Sequence, residues 1–361
     1  MNFMLRSGYF SVALLLLLLG AVAAQDVKSS NAQAWSLSGR VQLQHLYNSD
    51  IKMNDAQTNG GFRMRRVRVQ AGAKINPYLT GKIQFEVRDN SPALKDAELK
   101  LKLFDNFYFK GGQFKVPVWR EELRSSGKLL LVERSPAAEF LAAYYLSARH
   151  IGVEFGGQFM NNSRFALNYS NGAGEGIRED AGRTKSMNVN NGKLFTGRVN
   201  LAPSEVLEVG FSAAVNQLGY EAGNFDNTST ITAFAPDFGI YLPAGLDVEG
   251  GAAFGKFGKD FFGSNEDINY LIFDISGRWT RQFAEEMVQL AGMSAFELAA
   301  GFSRIDGNTD VDNNEYSVVR FGPALYFGKH ARLQVNGEIE MPAAENTDNV
   351  FLVRSQFTLN L

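Results

Sequence analysis

From residue 36 to the last residue given, apolar and polar side chains change places at nearly every step, in run after run, and few folds accept that pattern. In the first run Leu37, Val41, Leu43 and Tyr47 fall on one side, with Ser36, Ser38, Arg40, Gln42 and Gln44 on the other. Successive side chains of a strand point to opposite faces, so each run is a strand with one greasy and one charged face. The second sets Val67, Val69, Ala71, Ala73 and Ile75 against Arg66, Arg68, Gln70 and Lys74. In the third, Ile83, Phe85 and Val87 oppose Lys82, Gln84, Glu86 and Arg88; in the fourth, Ala97, Leu99, Leu101 and Leu103 oppose Asp96, Glu98, Lys100 and Lys102.

Alternation alone does not choose a fold, because a soluble sandwich shows it too. The number of runs and the lengths between them choose. Further strands are expected at 106–115, 149–158, 163–171, 193–201, 205–218, 230–242, 245–257, 270–281, 295–305, 315–327, 331–341 and 350–361, sixteen in all. Long polar connections at 48–61, 116–148, 172–192, 219–229, 258–269 and 306–314 alternate with tight turns such as 76–78, 104–105, 202–204, 243–244 and 328–330. Outer-membrane barrels have long extracellular loops and short periplasmic turns. Two links fit less well: 282–294 is long for a turn, and 89–95 is short for a loop. The expectation is an all-β, antiparallel transmembrane barrel of about 16 strands, its greasy face in lipid and no strand edge left open. Trp35, Tyr47, Phe104, Phe107, Tyr169, Tyr241, Trp279 and Tyr316, near strand ends, are expected in the interfacial girdles.

The front of the chain agrees with export. An apolar block from Val12 through Leu14–Leu19, with Arg6 before it and small residues at Val22 and Ala24, reads as a signal peptide over 1–24, cleaved before Gln25. A retained anchor is the alternative, but the block is short for a membrane-spanning helix. Residues 25–34 would form a short lead and 35–361 the barrel, placed in a bacterial outer membrane. The chain has 29 Phe, 36 Gly and only 9 Pro, a balance that suits strands and turns. It has no cysteine, which excludes disulfides, thiolate metal sites and a lipid anchor at the cleavage site. With the leader's one arginine removed, 35 basic residues face 38 acidic ones, so no bulk charge draws in nucleic acid. No cofactor is called for.

Sixteen strands enclose more space than side chains fill, so a water-filled lumen is expected. Parity turns Arg66, Arg68, Lys82, Arg88, Lys100, Lys102, Lys110, Arg164, Arg198, Arg278, Arg320 and Arg354 into it. Glu86, Asp96, Glu98, Glu154, Glu208, Glu249, Asp274, Glu297, Glu338 and Glu340 share that face, and neighbouring opposite charges cancel at a distance. Arg63 and Arg65 take the lipid-facing parity near the outer rim, where they would meet lipopolysaccharide phosphates or solvent. The longest connection, 116–148, carries Arg120, Arg124, Lys128 and Arg134 against Glu121, Glu122, Glu133 and Glu139, with Lys115 and Arg149 at its roots. A solvated loop of paired charges remains one reading of it. A barrel enzyme is the remote alternative; it would rest on His45, His150 or His330, with His150 beside Glu154 the best placed.

The stretch Gly111, Gly112, Gln113, Phe114, Lys115 and Pro117, then Glu121, Glu122, Leu123 and Ser125, then Leu131, Glu133, Arg134 and Ser135, resembles the phosphate-selective porins O and P. The resemblance continues through Arg149, Ile151, Gly152 and Val153 to Asn168, Asn171 and Gly172. It implies a homotrimeric outer-membrane channel that passes small hydrophilic solutes, anions and phosphate among them, through a lumen lined with arginine and lysine. It also implies that 116–148 folds inward as the constriction. Arginine offers a planar fork of donors and lysine a point charge, both suited to a phosphate leaving water. The solute-binding residues expected on this basis are Arg66, Arg68, Lys82, Arg88, Lys100, Lys115, Arg120, Arg124, Lys128, Arg134 and Arg149. A general porin without anion preference stays open, because the inward acids sit among these bases.

Overall fold

The computed structural model describes residues 34–51, 57–88, 91–160, 162–221, 223–285 and 292–361. The expected leader lies outside the described residues, as does all of the lead but Ala34, which already belongs to the first strand. The first eight strands are β1 (Ala34–Asn48), β2 (Gly60–Lys74), β3 (Leu79–Glu86), β4 (Ala93–Lys102), β5 (Phe107–Lys115), β6 (Arg149–Phe159), β7 (Ser163–Ser170) and β8 (Leu194–Leu201). The second eight are β9 (Leu207–Gly219), β10 (Thr228–Leu242), β11 (Leu246–Phe257), β12 (Ile268–Gln282), β13 (Ala295–Asp306), β14 (Tyr316–Phe327), β15 (Ala331–Pro342) and β16 (Val350–Asn360). Two short helices, α1 (Arg120–Leu123) and α2 (Pro136–Ala143), sit between β5 and β6.

Every strand pairs antiparallel with its neighbours in sequence, and β1 pairs with β16 to close the barrel, Leu43 opposite Phe357 and Val41 opposite Leu359. The sixteen expected strands are the sixteen observed, with ends displaced by a few residues where turns intrude. The turn after β2 shows why it is tight: the Asn76 side chain accepts from the backbone N–H groups of Tyr78 (2.9 Å) and Leu79 (2.8 Å). An asparagine that satisfies two backbone donors reverses the chain without a longer loop.

Alternation becomes inside and outside. On β12, Leu271, Phe273 and Ile275 lie exposed on the outer surface, whereas Tyr270, Ile272, Asp274 and Ser276 are buried within. Exposed apolar side chains recur in this way on strand after strand, an outer face suited to hydrocarbon. No helix of the described residues is long and apolar enough to cross a membrane; strands carry the apolar face.

Two expectations fail on facing. Gln42 lies opposite Arg66, but the next residue, Leu43, lies opposite Met64, so Arg65 is an extra residue in β2. Such a bulge reverses parity beyond it. Arg63 and Arg65 therefore point inward and do not reach rim lipopolysaccharide: Arg63 donates to Gln44 (2.8 Å) and Arg65 to Glu133 (2.5 Å). Tyr241 and Tyr316 also leave the expected girdles. Tyr241 donates to the inward Glu249 (2.6 Å), and Tyr316 lies opposite buried Ile305.

The interior is not wholly aqueous. Val116, Val118, Trp119, Ala137, Ala138, Leu141 and Leu146 are buried against inward residues of β9–β13, among them Ile231, Ala235, Phe257, Tyr270 and Ile272. Part of the lumen is thus filled by an apolar core, which lumen parity alone did not foresee.

Candidate functional site

The segment 116–148 gives the lumen its shape, and its path begins with local chemistry. Gly112 adopts φ 126, and a Cβ there would lie 2.0 Å from the Ala97 carbonyl oxygen, so only glycine lets β5 approach β4 this closely just before the segment leaves the wall. The Val116 N–H donates to the Ala148 carbonyl (2.9 Å), which pinches the two ends together. Ser135 caps α2 by accepting from the Ala138 N–H (3.2 Å), with Pro136 at the first helical position. The helix so begun turns Ala137, Ala138 and Leu141 onto the apolar patch of β9–β13.

Opposite that patch, polar side chains of the wall hold the segment's backbone. Arg332 on β15 donates to the carbonyls of Leu129 (2.9 Å) and Leu130 (3.1 Å), and Asn336 accepts from the Val132 N–H (2.7 Å). Arg40 on β1 donates to the Ser125 and Ser126 hydroxyls, both at 3.1 Å. At Gly127 a Cβ would sit 2.4 Å from the Arg40 guanidinium carbon, so glycine permits this contact. A segment that touches inward side chains of β1 and β15 on one side and of β9–β13 on the other runs across the inside of the barrel.

Charge pairing accounts for most of the expected solute-binding residues. Glu133 meets Arg65 at 2.5 Å, Arg66 at 3.3 Å and Arg63 at 3.7 Å, and it accepts from Gln44 at 3.1 Å. Burial alone would raise its carboxyl, but the hydrogen bond and charge of Arg65 and the charge of Arg66 outweigh burial and hold it at about 2. Glu122 joins Arg134 (2.6 Å) to Lys115 (3.4 Å). Arg120 meets Asp237 (2.9 Å) and Glu208, while Arg124 meets Glu249. On the wall, Arg68 pairs with Glu86 (2.9 Å) and Lys82 with Asp96 and Glu98 (3.1 Å each). Arg149 pairs with Asp96 (2.6 Å), and Arg88 donates to the Arg65 carbonyl (3.2 Å).

Lys100 and Lys128 differ. Lys100 lies over the ring of Tyr108, 3.9 Å from its centre, and directly opposite Lys110 in the β4–β5 register. Lys128 is exposed on the segment. Among the described residues neither has a carboxylate within ion-pair reach, and neither does Arg164.

These three cations share one chamber of about 1290 Å³. Residues of the tight turns, Pro77, Tyr78, Asn106 and Asn162, line it, so it opens at the end that in such barrels faces the periplasm. Nine basic side chains line it against Asp105, Glu154 and Glu208. Lys110 is answered by Glu154 (2.8 Å) and Lys102 by Asp105 (3.2 Å). Lys100, Lys128 and Arg164 have no carboxylate partner among the described residues.

Parity located most of this site. It missed Arg63 and Arg65, which the bulge turns inward, and Arg332, whose even separation from the inward Glu338 on the same strand was a signal available in the alternation. His150 is not poised as a base. It is buried, with Nε2 donating to the Ser147 carbonyl (3.0 Å) and Nδ1 accepting from the Gly174 N–H (3.2 Å).

The sequence profile of the family described as phosphate-selective porin O and P matches residues 37–235, more than half of the 361-residue chain. No curated protein matches. Among solved structures, an anion-selective porin from Comamonas acidovorans superposes with a TM-score of 0.66 at 11% identity, covering 91% of this chain and 99% of that one. The outer-membrane channel DcaP of Acinetobacter baumannii gives 0.65 at 12% identity, covering 94% and 100%. OmpT of Vibrio cholerae in its trimer form gives 0.61 at 13% identity, covering 90% and 99%. At these identities the structures speak for the fold, and the profile speaks for the family: this chain belongs to the phosphate-selective porins O and P, and its barrel is an outer-membrane channel.

Proposed function

We propose that this channel lets small hydrophilic anions, phosphate among them, diffuse down their gradient, and that it works as a homotrimer from which the leader 1–24 has been removed. The observation that carries the reading is the chamber in which Lys100, Lys128 and Arg164 face water without a carboxylate partner. In a water-filled space bounded by protein, such charges raise the local concentration of anions. The paired bases contribute less, since each carries its counter-charge with it. Arg66, Arg68, Lys82, Lys115, Arg120, Arg124, Arg134 and Arg149 then act chiefly by shaping the passage. The abundance of these pairs is also what favours the second reading, a general porin. The trimer is supported by the trimer form of the OmpT neighbour.

Single-channel current in chloride, measured while phosphate is added, tests the solute. Phosphate is expected to lower the chloride current in a saturable way. In the variant Lys100→Gln, Lys128→Gln, Arg164→Gln that inhibition is expected to weaken by about tenfold, equivalent to about 1.4 kcal/mol. Chloride current indifferent to phosphate in the unaltered protein would remove phosphate from the reading.

A further inference from the structure

The two ends of the pore carry opposite charge. Long connections lie outside and tight turns face the periplasm in barrels of this kind. Four long connections, 220–227, 258–267, 307–315 and 343–349, hold 10 acidic residues against a single base, Lys259, although Asp226, Asp267 and Glu315 pair with Lys185, Lys256 and Arg304 beyond them. Asp310, Asp312, Glu345 and Asp348 are exposed and make no ion pair among the described residues. The connection between β7 and β8, 171–193, has 3 acids against 4 bases and does not reverse this balance. At the opposite end lies the chamber, whose unpaired charges are Lys100, Lys128 and Arg164.

Screening makes the two ends independent. In 0.1 M salt a charge is felt over about 10 Å, so each mouth acts on the ions entering it and not on those at the other. The outer mouth gathers cations; the chamber gathers anions. We propose that the channel is an electrostatic diode that conducts better when its outer side is positive. With that sign, anions enter through the chamber where they are already concentrated, and cations enter past the acidic loops, so both ends supply carriers. With the opposite sign each end is asked for the ion it repels, and the pore is depleted. The inference rests on the reading of the chamber as anion-attracting and adds a direction to it.

The test uses the full-length mature protein in a planar bilayer with identical KCl on both sides. Thr309, exposed in an outer connection, is replaced as Thr309→Cys; the chain has no cysteine of its own, so block by a bulky impermeant thiol reagent reveals which side is outer. Outer-positive current is expected to exceed outer-negative current roughly two-fold in 0.1 M KCl, and to become equal toward 1 M, where screening shortens to about 3 Å. The variant Asp310→Asn, Asp312→Asn, Glu345→Gln, Asp348→Asn is expected to lose at least half of that asymmetry, while its zero-current potential in a salt gradient still reports anions. Equal currents in 0.1 M KCl, asymmetry of the opposite sign, or asymmetry untouched by the variant would overturn the diode. A cation-selective zero-current potential would overturn the anion reading on which it rests, and the two failures are read from separate measurements.

Discussion

At the scale of single residues, Glu133 holds three arginines at once, and its protonation has a definite sign. Its carboxyl titrates at about 2, below its ordinary value of 4.5. A depressed carboxyl contributes its full stabilisation above the ordinary value and loses it as pH falls from about 4.5 toward 2. The contribution is on the order of 3 kcal/mol, since each unit of pKa corresponds to about 1.4 kcal/mol. Open-channel noise is therefore expected to stay constant from pH 7 to about 5 and to rise below 4.5. Noise that rises already near neutral pH would show that another group holds the segment. Glu133→Gln is expected to bring the low-pH noise to pH 7 and to shift the zero-current potential further toward anions, because Arg63, Arg65 and Arg66 lose their shared counter-charge. This constellation was only half legible in the sequence. Alternation placed Arg66 inside, but the extra residue at Arg65 leaves no mark in a pattern of apolar and polar letters, and Arg63 was counted on the wrong face.

At the scale of elements, α2 and the backbone on either side of it decide whether the lumen is open or partly filled. Leu141 is fully buried where the helix meets β9–β13. Leu141→Ala is expected to cost about 2–5 kcal/mol of that packing. Because the barrel's strand pairing does not depend on Leu141, circular dichroism should be unchanged while single-channel current begins to flicker. A quiet channel with lost strand signal would contradict the division between wall and segment. Ser135→Ala removes the cap of the same helix and is expected to cost about 1 kcal/mol, read as a smaller rise in flicker. The strands themselves were legible because period-two alternation is a local property of each run. The interior course of 116–148 was not, since its apolar partners Ile231, Phe257, Tyr270 and Ile272 lie far along the chain and occupy an inward face that parity treats as wet.

At the scale of the whole molecule, closure and charge distribution carry the account. Sixteen antiparallel strands joined edge to edge, β1 to β16, leave no strand edge open to lipid among the described residues, and the outward apolar side chains complete the membrane fit. Expectation and structure agree on this architecture because the alternation of long and short connections is as visible in the sequence as in the barrel. Net charge gave no hint of the chamber, for the chain totals only −2 while its two ends differ in sign. That difference appears only when the turns gather Lys100 and Arg164 beside Lys128 of the segment. The measurement that bears most directly on the claim is the zero-current potential of the purified channel between 0.1 M and 1 M KCl. Anion selectivity predicts that the dilute side becomes negative; a dilute side that becomes positive, or stays at zero, would contradict it.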